Sequence, residues 1–165
     1  MEKLWSPWRS QYIDSFNTGK GKTSCVFCDA VIESIKDDNC LKIFEDKSCF
    51  AMLNLYPYNS GHTLVIPKKH VSKLEELNED ELMEMMKITK LVMKALESIM
   101  KPQGFNFGAN LGKAAGAGID DHIHFHVLPR WNGDTNFMPA IGEVKIISQD
   151  LLQTKKMLIE AIKKL

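Results

Sequence analysis

The segment from His122 to Leu128, which reads HIHFHVL, constrains this chain most strongly because histidines and apolar residues alternate along it. Side chains on a β-strand point alternately to opposite faces, so the three imidazoles share one face. Ile123, Phe125 and Val127 share the other. The alternation therefore predicts a strand over 123–128 with one face on the core and the histidine face available for chemistry.

The rest of the chain shows patterns typical of short strands and separate helices. We predict strands at 41–45, 49–54, 62–66, 105–111 and 123–128, and helices at 30–35, 79–100 and 149–165. A capping box at 78–81 begins the long helix, and Pro102 follows its end. Because the strands are grouped as hairpins and not as strand–helix–strand repeats, we expect an α+β fold.

Length and charge exclude several classes of protein. The 165 residues carry 21 Lys+Arg and 21 Asp+Glu, a balance that argues against bulk nucleic-acid binding. No apolar run reaches the roughly 20 residues of a membrane helix, and no apolar segment near Met1 resembles a secretory signal. We expect a cytoplasmic protein without nucleic-acid or membrane partners. Its expected parts are an N-terminal arm at 1–24, a domain at 25–140, and a helical tail at 141–165 packed on that domain.

Two kinds of chemistry fit the histidine strand. Histidines two residues apart can share a catalytic metal ion, or a neutral imidazole can attack phosphorus as a nucleophile. A catalytic metal site for hydrolysis usually adds Asp or Glu ligands, and the adjacent Asp120 and Asp121 precede the strand. The loop 112–118 consists mostly of glycine and alanine, which let backbone N–H groups approach an anion closely. This loop favours a phosphate-containing ligand.

The histidine strand resembles the signature of the histidine triad (HIT) family of nucleotide-binding hydrolases and transferases. Asn54 followed by the stretch 61–67, GHTLVIP, is similar to two further family motifs. The stretch 129–138, PRWNGDTNFM, together with the arm at 5–13, resembles the branch that contains diadenosine tetraphosphate phosphorylases. The resemblance implies a five-stranded antiparallel sheet with one long central helix and a C-terminal helix. It also implies a homodimer in which the sheet spans both subunits.

The resemblance assigns roles to individual residues. His124 would be the nucleophile that forms a nucleotidyl-histidine, and His126 and His62 would contact the same phosphates. The nucleotide would also be bound by the following residues: Asn54 at the ribose, Asn110 near the phosphates, and Gly116, Ala117 and Gly118 in an anion-binding turn. The family often carries Gln or Ser just before the triad, whereas this chain has only alanine and glycine there. We associate that feature with the phosphorolytic branch, in which inorganic phosphate replaces water as acceptor.

Cys25 and Cys28 form a C-x-x-C pair that can place two thiolates on one ion. A redox pair is the competing interpretation, but that would call for a thioredoxin-like βαβ pattern, which is not evident here. His70 and His122 are the candidates for the two further ligands of a closed tetrahedral site. Members of the resembling family that carry this cysteine pair use the same set. We therefore expect a structural zinc ion and no organic cofactor.

The function expected from the sequence is hydrolysis or transfer of a nucleotidyl group. The substrate would be a dinucleoside polyphosphate similar to diadenosine tetraphosphate, with inorganic phosphate as a candidate second substrate. Three alternatives remain open. They are a nucleoside phosphoramidate hydrolase, a non-catalytic nucleotide-binding adaptor, and a metal-dependent hydrolase that uses the histidine pair.

Overall fold

The computed structural model describes residues 25–135, 147 and 149–165. The predictions for the arm at 1–24, including the aromatic stretch at 5–13, lie outside the described residues, as do those for residues 136–138. The division into an arm, a domain at 25–140 and a tail at 141–165 stays a prediction.

Five strands form one antiparallel sheet in the order β1-β2-β3-β5-β4. The strands are β1 Lys42–Glu45, β2 Cys49–Leu53, β3 Thr63–Pro67, β4 Gly104–Gly108 and β5 Phe125–Arg130. β1, β2 and β3 are consecutive antiparallel neighbours, whereas the segment from β3 to β4 crosses the sheet through a long helix, and β5 lies between them antiparallel to both. The predicted α+β class with five antiparallel strands is confirmed.

Within the described residues, three α-helices accompany the sheet: α1 Val26–Ile32, α2 Glu79–Met100 and α3 Leu151–Ile162. The capping box of α2 forms as predicted, because the Asn78 side chain accepts from Glu81 N–H and the Glu81 carboxylate accepts from Asn78 N–H, both at 2.9 Å. The helix ends at Met100. The next residue, Lys101, has a left-handed φ of 48° and directly precedes Pro102. Of the helices in the described ranges, none is long and apolar enough to cross a bilayer.

Different helices pack against the two faces of the sheet. One face packs against α2 and α3 and forms the larger apolar cluster, which includes Ala51, Val65, Val92, Leu96, Val127 and Leu158. The opposite face is covered by α1, whose Phe27 and Ala30 join Phe50, Leu64 and Ile66 in a smaller cluster. His126 lies opposite Leu64 in the β3–β5 register, so its side chain belongs to the α1 face.

Several boundaries differ from the sequence-based prediction, including the end of β4, which the structure places at Gly108 and not at 111, and two of them bear on the site. α1 begins at Val26, before the predicted 30–35, so Cys28 lies inside it. β5 begins at Phe125 and continues past the predicted end at 128, so that it includes Pro129 and ends at Arg130. Beyond Val127, β5 is bordered by β4 alone. A proline, which lacks an N–H, is tolerated beside such an open side.

Candidate active site

Three of the predicted site histidines lie next to one another. His62 immediately precedes β3, His124 immediately precedes β5, and His126 lies within β5. The ring centroids of His62 and His126 are 5.1 Å apart, and those of His124 and His126 are 4.9 Å apart. The antiparallel pairing of β3 with β5 brings together residues that are more than sixty positions apart in the chain.

A tight turn positions His62. The backbone N–H of His62 donates to the carbonyl of Asn59 at 3.2 Å, which closes a four-residue turn. Gly61 occupies this turn with φ of +76°, and a Cβ there would lie only 2.7 Å from the Met100 Sδ. Both the left-handed backbone and the lack of space favour glycine at this position.

The hydrogen bonds of His62 determine where its proton resides. The backbone N–H of Tyr58 can only donate, and it lies 3.0 Å from His62 Nδ1, so that nitrogen is the acceptor. The proton of neutral His62 is therefore on Nε2, which is 2.9 Å from His126 Nδ1. His126 Nδ1 accepts this proton in a hydrogen bond, so the proton of neutral His126 is on its own Nε2.

His126 Nε2 has a distinctive environment. Among the described residues, it is the one buried side-chain nitrogen or oxygen that has no hydrogen-bond partner in the protein. A buried donor without an acceptor costs free energy, and such groups mark sites where a ligand or water completes the bond. A phosphate oxygen is an acceptor that would satisfy it.

His124 presents the opposite arrangement of ring nitrogens. Its Nδ1 lies 2.9 Å from the carbonyl oxygen of His122, which can only accept, so the proton is on Nδ1. Nε2 of His124 therefore carries the lone pair. The aromatic ring of Phe27 packs against the same imidazole with centroids 4.9 Å apart, which fixes the ring from the α1 side.

Burial keeps all three rings neutral near pH 7. It lowers the pKa of His62 to about 3, with the neighbouring His126 and His124 adding to the effect. Burial, followed by the charge of His124, lowers the pKa of His126 to about 4. The pKa of His124 is also lowered by burial, against a smaller opposing effect of the bond to the His122 carbonyl. Neutral imidazoles are the form that carries a nucleophilic lone pair.

The predicted nucleotide-binding residues lie at different places around the histidines. The Asn54 side chain faces His62, with Nδ2 3.3 Å from His62 Nδ1, and its Oδ1 accepts from Tyr56 N–H. Asn110 lies two residues after the end of β4, where Gly108 pairs with His126.

The predicted anion-binding turn at 116–118 follows a short 3₁₀ turn at Lys113–Ala115. Gly116 N–H and Ala117 N–H donate to carbonyls within this loop, at 3.0 and 3.4 Å. Gly116 has φ of +86°, a backbone conformation that favours glycine. The contribution of Gly116, Ala117 and Gly118 to phosphate binding stays a prediction.

The four predicted zinc ligands form one cluster. The ligand atoms of Cys25, Cys28, His70 and His122 all lie within 4.8 Å of one another. His122 Nδ1 is 3.3 Å from Cys25 Sγ and 3.2 Å from His70 Nδ1, and Cys28 Sγ is 3.3 Å from His70 Nδ1. A tetrahedral zinc ion with bonds of about 2.0–2.3 Å separates its ligands by roughly 3.3–3.8 Å. The donor set and its spacing fit zinc.

The orientation of His122 favours metal binding at this cluster. His122 Nε2 donates to the Pro67 carbonyl at 2.9 Å, so the Nδ1 lone pair faces the cysteines, as in many histidine–metal sites. Burial and the neighbouring Cys25 raise the pKa of Cys28 to about 11.

Sequence reasoning missed two residues at this site. The Tyr58 ring lies against both His62 and His126, with centroids 4.7 and 5.8 Å away, and its backbone N–H fixes the His62 tautomer. Phe27, between the two cysteines, packs on His122 as well as His124. Their proximity in the sequence to His62 and to the two cysteines is the one signal that could have indicated Tyr58 and Phe27. Backbone N–H donors and ring contacts have no sequence motif.

Comparison with known families gives a match to the HIT domain over residues 36–133. A curated relative from Mycobacterium tuberculosis, named AP-4-A phosphorylase, is 37% identical over 163 residues. That alignment covers 96% of this chain and 83% of the relative. The matched region contains every residue of the histidine cluster.

Two solved structures are similar to this fold. A hypothetical histidine triad nucleotide-binding protein from Sulfolobus tokodaii superimposes with a TM-score of 0.68 at 32% identity, covering 86% of this chain and 93% of that one. A zinc-bound histidine triad family protein from Mycobacterium smegmatis gives a TM-score of 0.68 at 31% identity, with coverages of 86% and 94%.

Proposed function

We propose a function on the premise that this chain belongs to the HIT family. It is an enzyme that transfers the nucleotidyl group of a dinucleoside polyphosphate through a covalent intermediate on His124. The observation that carries the proposal is the complementary pair of ring nitrogens. His124 Nε2 has a lone pair, and the adjacent His126 Nε2 carries a buried proton without an acceptor. A nucleophile beside an unsatisfied donor suits attack at a phosphorus atom whose oxygens need stabilisation.

The first half-reaction follows from these roles. With diadenosine tetraphosphate, His124 Nε2 attacks the α-phosphorus and a phosphorus–nitrogen bond forms. The bond from that phosphorus to the bridging oxygen breaks, and ATP leaves with the electron pair. The His124 Nδ1–H, which remains bonded to the His122 carbonyl, stabilises the positive charge on the ring. His126 donates to phosphate oxygens, and Asn54 contacts the ribose.

The second half-reaction uses inorganic phosphate. A phosphate oxygen attacks the adenylyl phosphorus, the phosphorus–nitrogen bond breaks, and its electron pair returns to His124 Nε2. The product is ADP. Two observations support phosphate over water as the acceptor. The loop at 112–118 has no Gln or Ser side chain, and the Mycobacterium tuberculosis relative is named a phosphorylase.

Product analysis tests this proposal. We expect diadenosine tetraphosphate to give ATP and ADP in the presence of ¹⁸O-labelled phosphate, with the label in the β-phosphate of ADP. Formation of ATP and unlabelled AMP at the same rate, whatever the phosphate concentration, would instead identify a hydrolase. Turnover of adenosine 5′-phosphoramidate alone would identify the phosphoramidase alternative.

We further propose that Cys25, Cys28, His70 and His122 hold a structural zinc ion. The supporting observations are the four-ligand geometry and the zinc-bound relative from Mycobacterium smegmatis. Zinc would join α1 to the segment that leads into β5, and would commit His122 to a structural role. The remaining histidines of the cluster then stay available for substrate.

The chain is also proposed to form a homodimer through β4, which is an edge strand. Phe107 on β4 is 43% exposed and Leu111 just beyond it is 51% exposed. An exposed edge strand with apolar side chains is a surface that a second strand can cover. Pairing of two β4 strands would continue the sheet across both subunits.

A further inference from the structure

A buried carboxylate, Asp134, lies outside the histidine cluster and outside every role assigned above. Its side chain is 7% exposed and accepts four hydrogen bonds from residues that the structure describes. They come from Arg130 Nε at 2.6 Å, Arg130 Nη2 at 2.8 Å, Trp131 N–H at 3.1 Å and Asn59 Nδ2 at 2.8 Å. The bidentate contact with Arg130 is the strong type of ion pair.

The bond to Asn59 connects this carboxylate to the turn that carries His62. Asn59 also donates to the Pro129 carbonyl at 3.2 Å, and its own carbonyl accepts the His62 N–H. Asp134 therefore fixes the turn at 59–62 to the end of β5, the strand that carries His126. The donors to Asp134 in the described part of the chain are Asn59, Arg130 and Trp131, so Asp134 acts on the two histidines through the backbone segments that carry them.

We propose that Asp134, with Arg130 and Asn59, is a positioning residue that sets the tautomers of His62 and His126. The turn at 59–62 holds Tyr58 N–H against His62 Nδ1. That contact puts the His62 proton on Nε2, and the resulting bond to His126 Nδ1 puts the His126 proton on Nε2. The network thus sets the direction of a chain of hydrogen bonds that ends at the buried donor.

The direction of this chain matters because its reversal removes the donor. If the turn moves and Tyr58 N–H withdraws, His62 can carry its proton on Nδ1, and its Nε2 becomes an acceptor. His126 then donates from Nδ1 to His62, and its own Nε2 is left without a proton. The departing oxygen of the leaving group would then lose its hydrogen-bond donor.

This inference rests on the proposed function for its catalytic consequence, but the tautomers can be tested without any substrate. ¹⁵N NMR distinguishes a protonated imidazole nitrogen from one that carries a lone pair. In the wild-type protein we expect both His62 and His126 to be protonated at Nε2. In Asp134→Asn, which replaces one of the two acceptor oxygens with an N–H donor and removes the charge, we expect a mixture of tautomers at both rings.

Kinetics provide the second readout. We expect Asp134→Asn to lower kcat by about 10²-fold, the typical contribution of a positioned proton donor, while KM changes less than about threefold. With an adenylyl substrate that has a good leaving group, such as a nitrophenyl ester, the loss in kcat should shrink, because that leaving group needs no donor. A merely structural role would lower kcat equally for both substrates.

Glu160→Gln is the matched control, because it removes an exposed carboxylate paired with Lys163 on α3. It should leave the tautomers and kcat unchanged.

If Asp134→Asn does not fold, Arg130→Gln and Asn59→Ala weaken the same network from its two ends and are interpreted in the same way. Wild-type tautomers in folded Asp134→Asn would overturn the inference. Wild-type protein with the expected tautomers but no turnover would count against the proposed function alone.

Discussion

At the scale of single residues, the histidines of this chain differ in which ring nitrogen is protonated. A carbonyl holds the proton of His124 on Nδ1, whereas a backbone N–H holds that of His62 on Nε2. Identical side chains can therefore present opposite groups to a ligand, one a lone pair and the other a proton. The assignment comes from backbone partners that are fixed by the fold.

The lowered pKa of His62 predicts how stability depends on pH. Its pKa is about 3 in the folded protein and about 6.5 when unfolded. Between these values the unfolded chain binds the extra proton, so the free energy of unfolding decreases as the pH falls below about 6.5. The stabilising effect is fully present above that pH.

The variant His62→Gln isolates this contribution. We expect its free energy of unfolding to change less steeply with pH between 6 and 4.5, by about 1.4 kcal/mol per pH unit. Urea titrations of both proteins at several pH values measure the difference. His126 and the zinc ligands titrate in both proteins, so their effects largely cancel. Equal slopes would show that His62 is protonated in the folded state over this range.

At the scale of secondary-structure elements, the proposed zinc ion links three segments. Its ligands come from α1 and the residue before it, from the loop after β3, and from the segment leading into β5. We expect one zinc ion per chain by elemental analysis and a melting temperature that falls on chelation, because the ion binds only the folded chain. Cys28→Ser should lose the zinc and no longer respond to the chelator. Zinc-free wild type with an unchanged melting temperature would contradict the proposal.

The β1–β2 hairpin is joined to α2 by one carboxylate. Glu84 accepts from Ser48 N–H, Ser48 Oγ and Cys49 N–H at 2.8 to 2.9 Å. Burial alone would raise the pKa of Glu84, but these hydrogen bonds outweigh it and the pKa is lowered.

We expect Glu84→Gln to lower the free energy of unfolding by about 1–3 kcal/mol, as hydrogen bonds to a charged group are lost. Glu97→Gln, on the exposed side of the same helix, is the control and should change it by less than about 0.5 kcal/mol. Denaturant titration near pH 7 measures both. Similar values for the two variants would mean that Glu84 does not stabilise the hairpin.

The elements were largely predictable because their signals are local. The capping box at Asn78 and the alternation from His122 to Leu128 involve neighbouring residues, and both were confirmed in type. The start of β5 was not predictable, because the Ile123 N–H donates to the Val71 carbonyl, a partner far away in the chain.

Two buried lysines were also missed. Lys155 donates to the Asp37 and Cys40 carbonyls, and Lys42 pairs with Glu45.

The same limit applies to the site. Residue types and spacing indicated the histidines and the four-ligand cluster, which the fold brings together. The hydrogen bond between Asn59 and Asp134 joins residues 75 positions apart. An asparagine or an aspartate in a loop attracts no notice in the sequence. Such supporting contacts depend on how β3 and β5 meet, which periodicity does not specify.

At the scale of the whole molecule, the proposed dimer would cover the β4 edge. Phe107→Asp places a charge on that edge and should convert a dimer into a monomer, as measured by light scattering after gel filtration. Ile32→Asp is the control, because Ile32 is 81% exposed on α1. It should leave the mass unchanged. A monomeric wild type, or a dimeric Phe107→Asp, would show that β4 is not the interface.

The central claim is a covalent nucleotidyl group on His124, and mass spectrometry of quenched enzyme tests it most directly. The protein is mixed with diadenosine tetraphosphate without inorganic phosphate, quenched rapidly in base, and digested. We predict that one adenylyl group is attached to the peptide containing His124, and that adding phosphate before the quench removes it as ADP. His124→Ala should bind nucleotide without forming the adduct. An adenylyl group on another residue, or turnover by His124→Ala at the wild-type rate, would contradict the account.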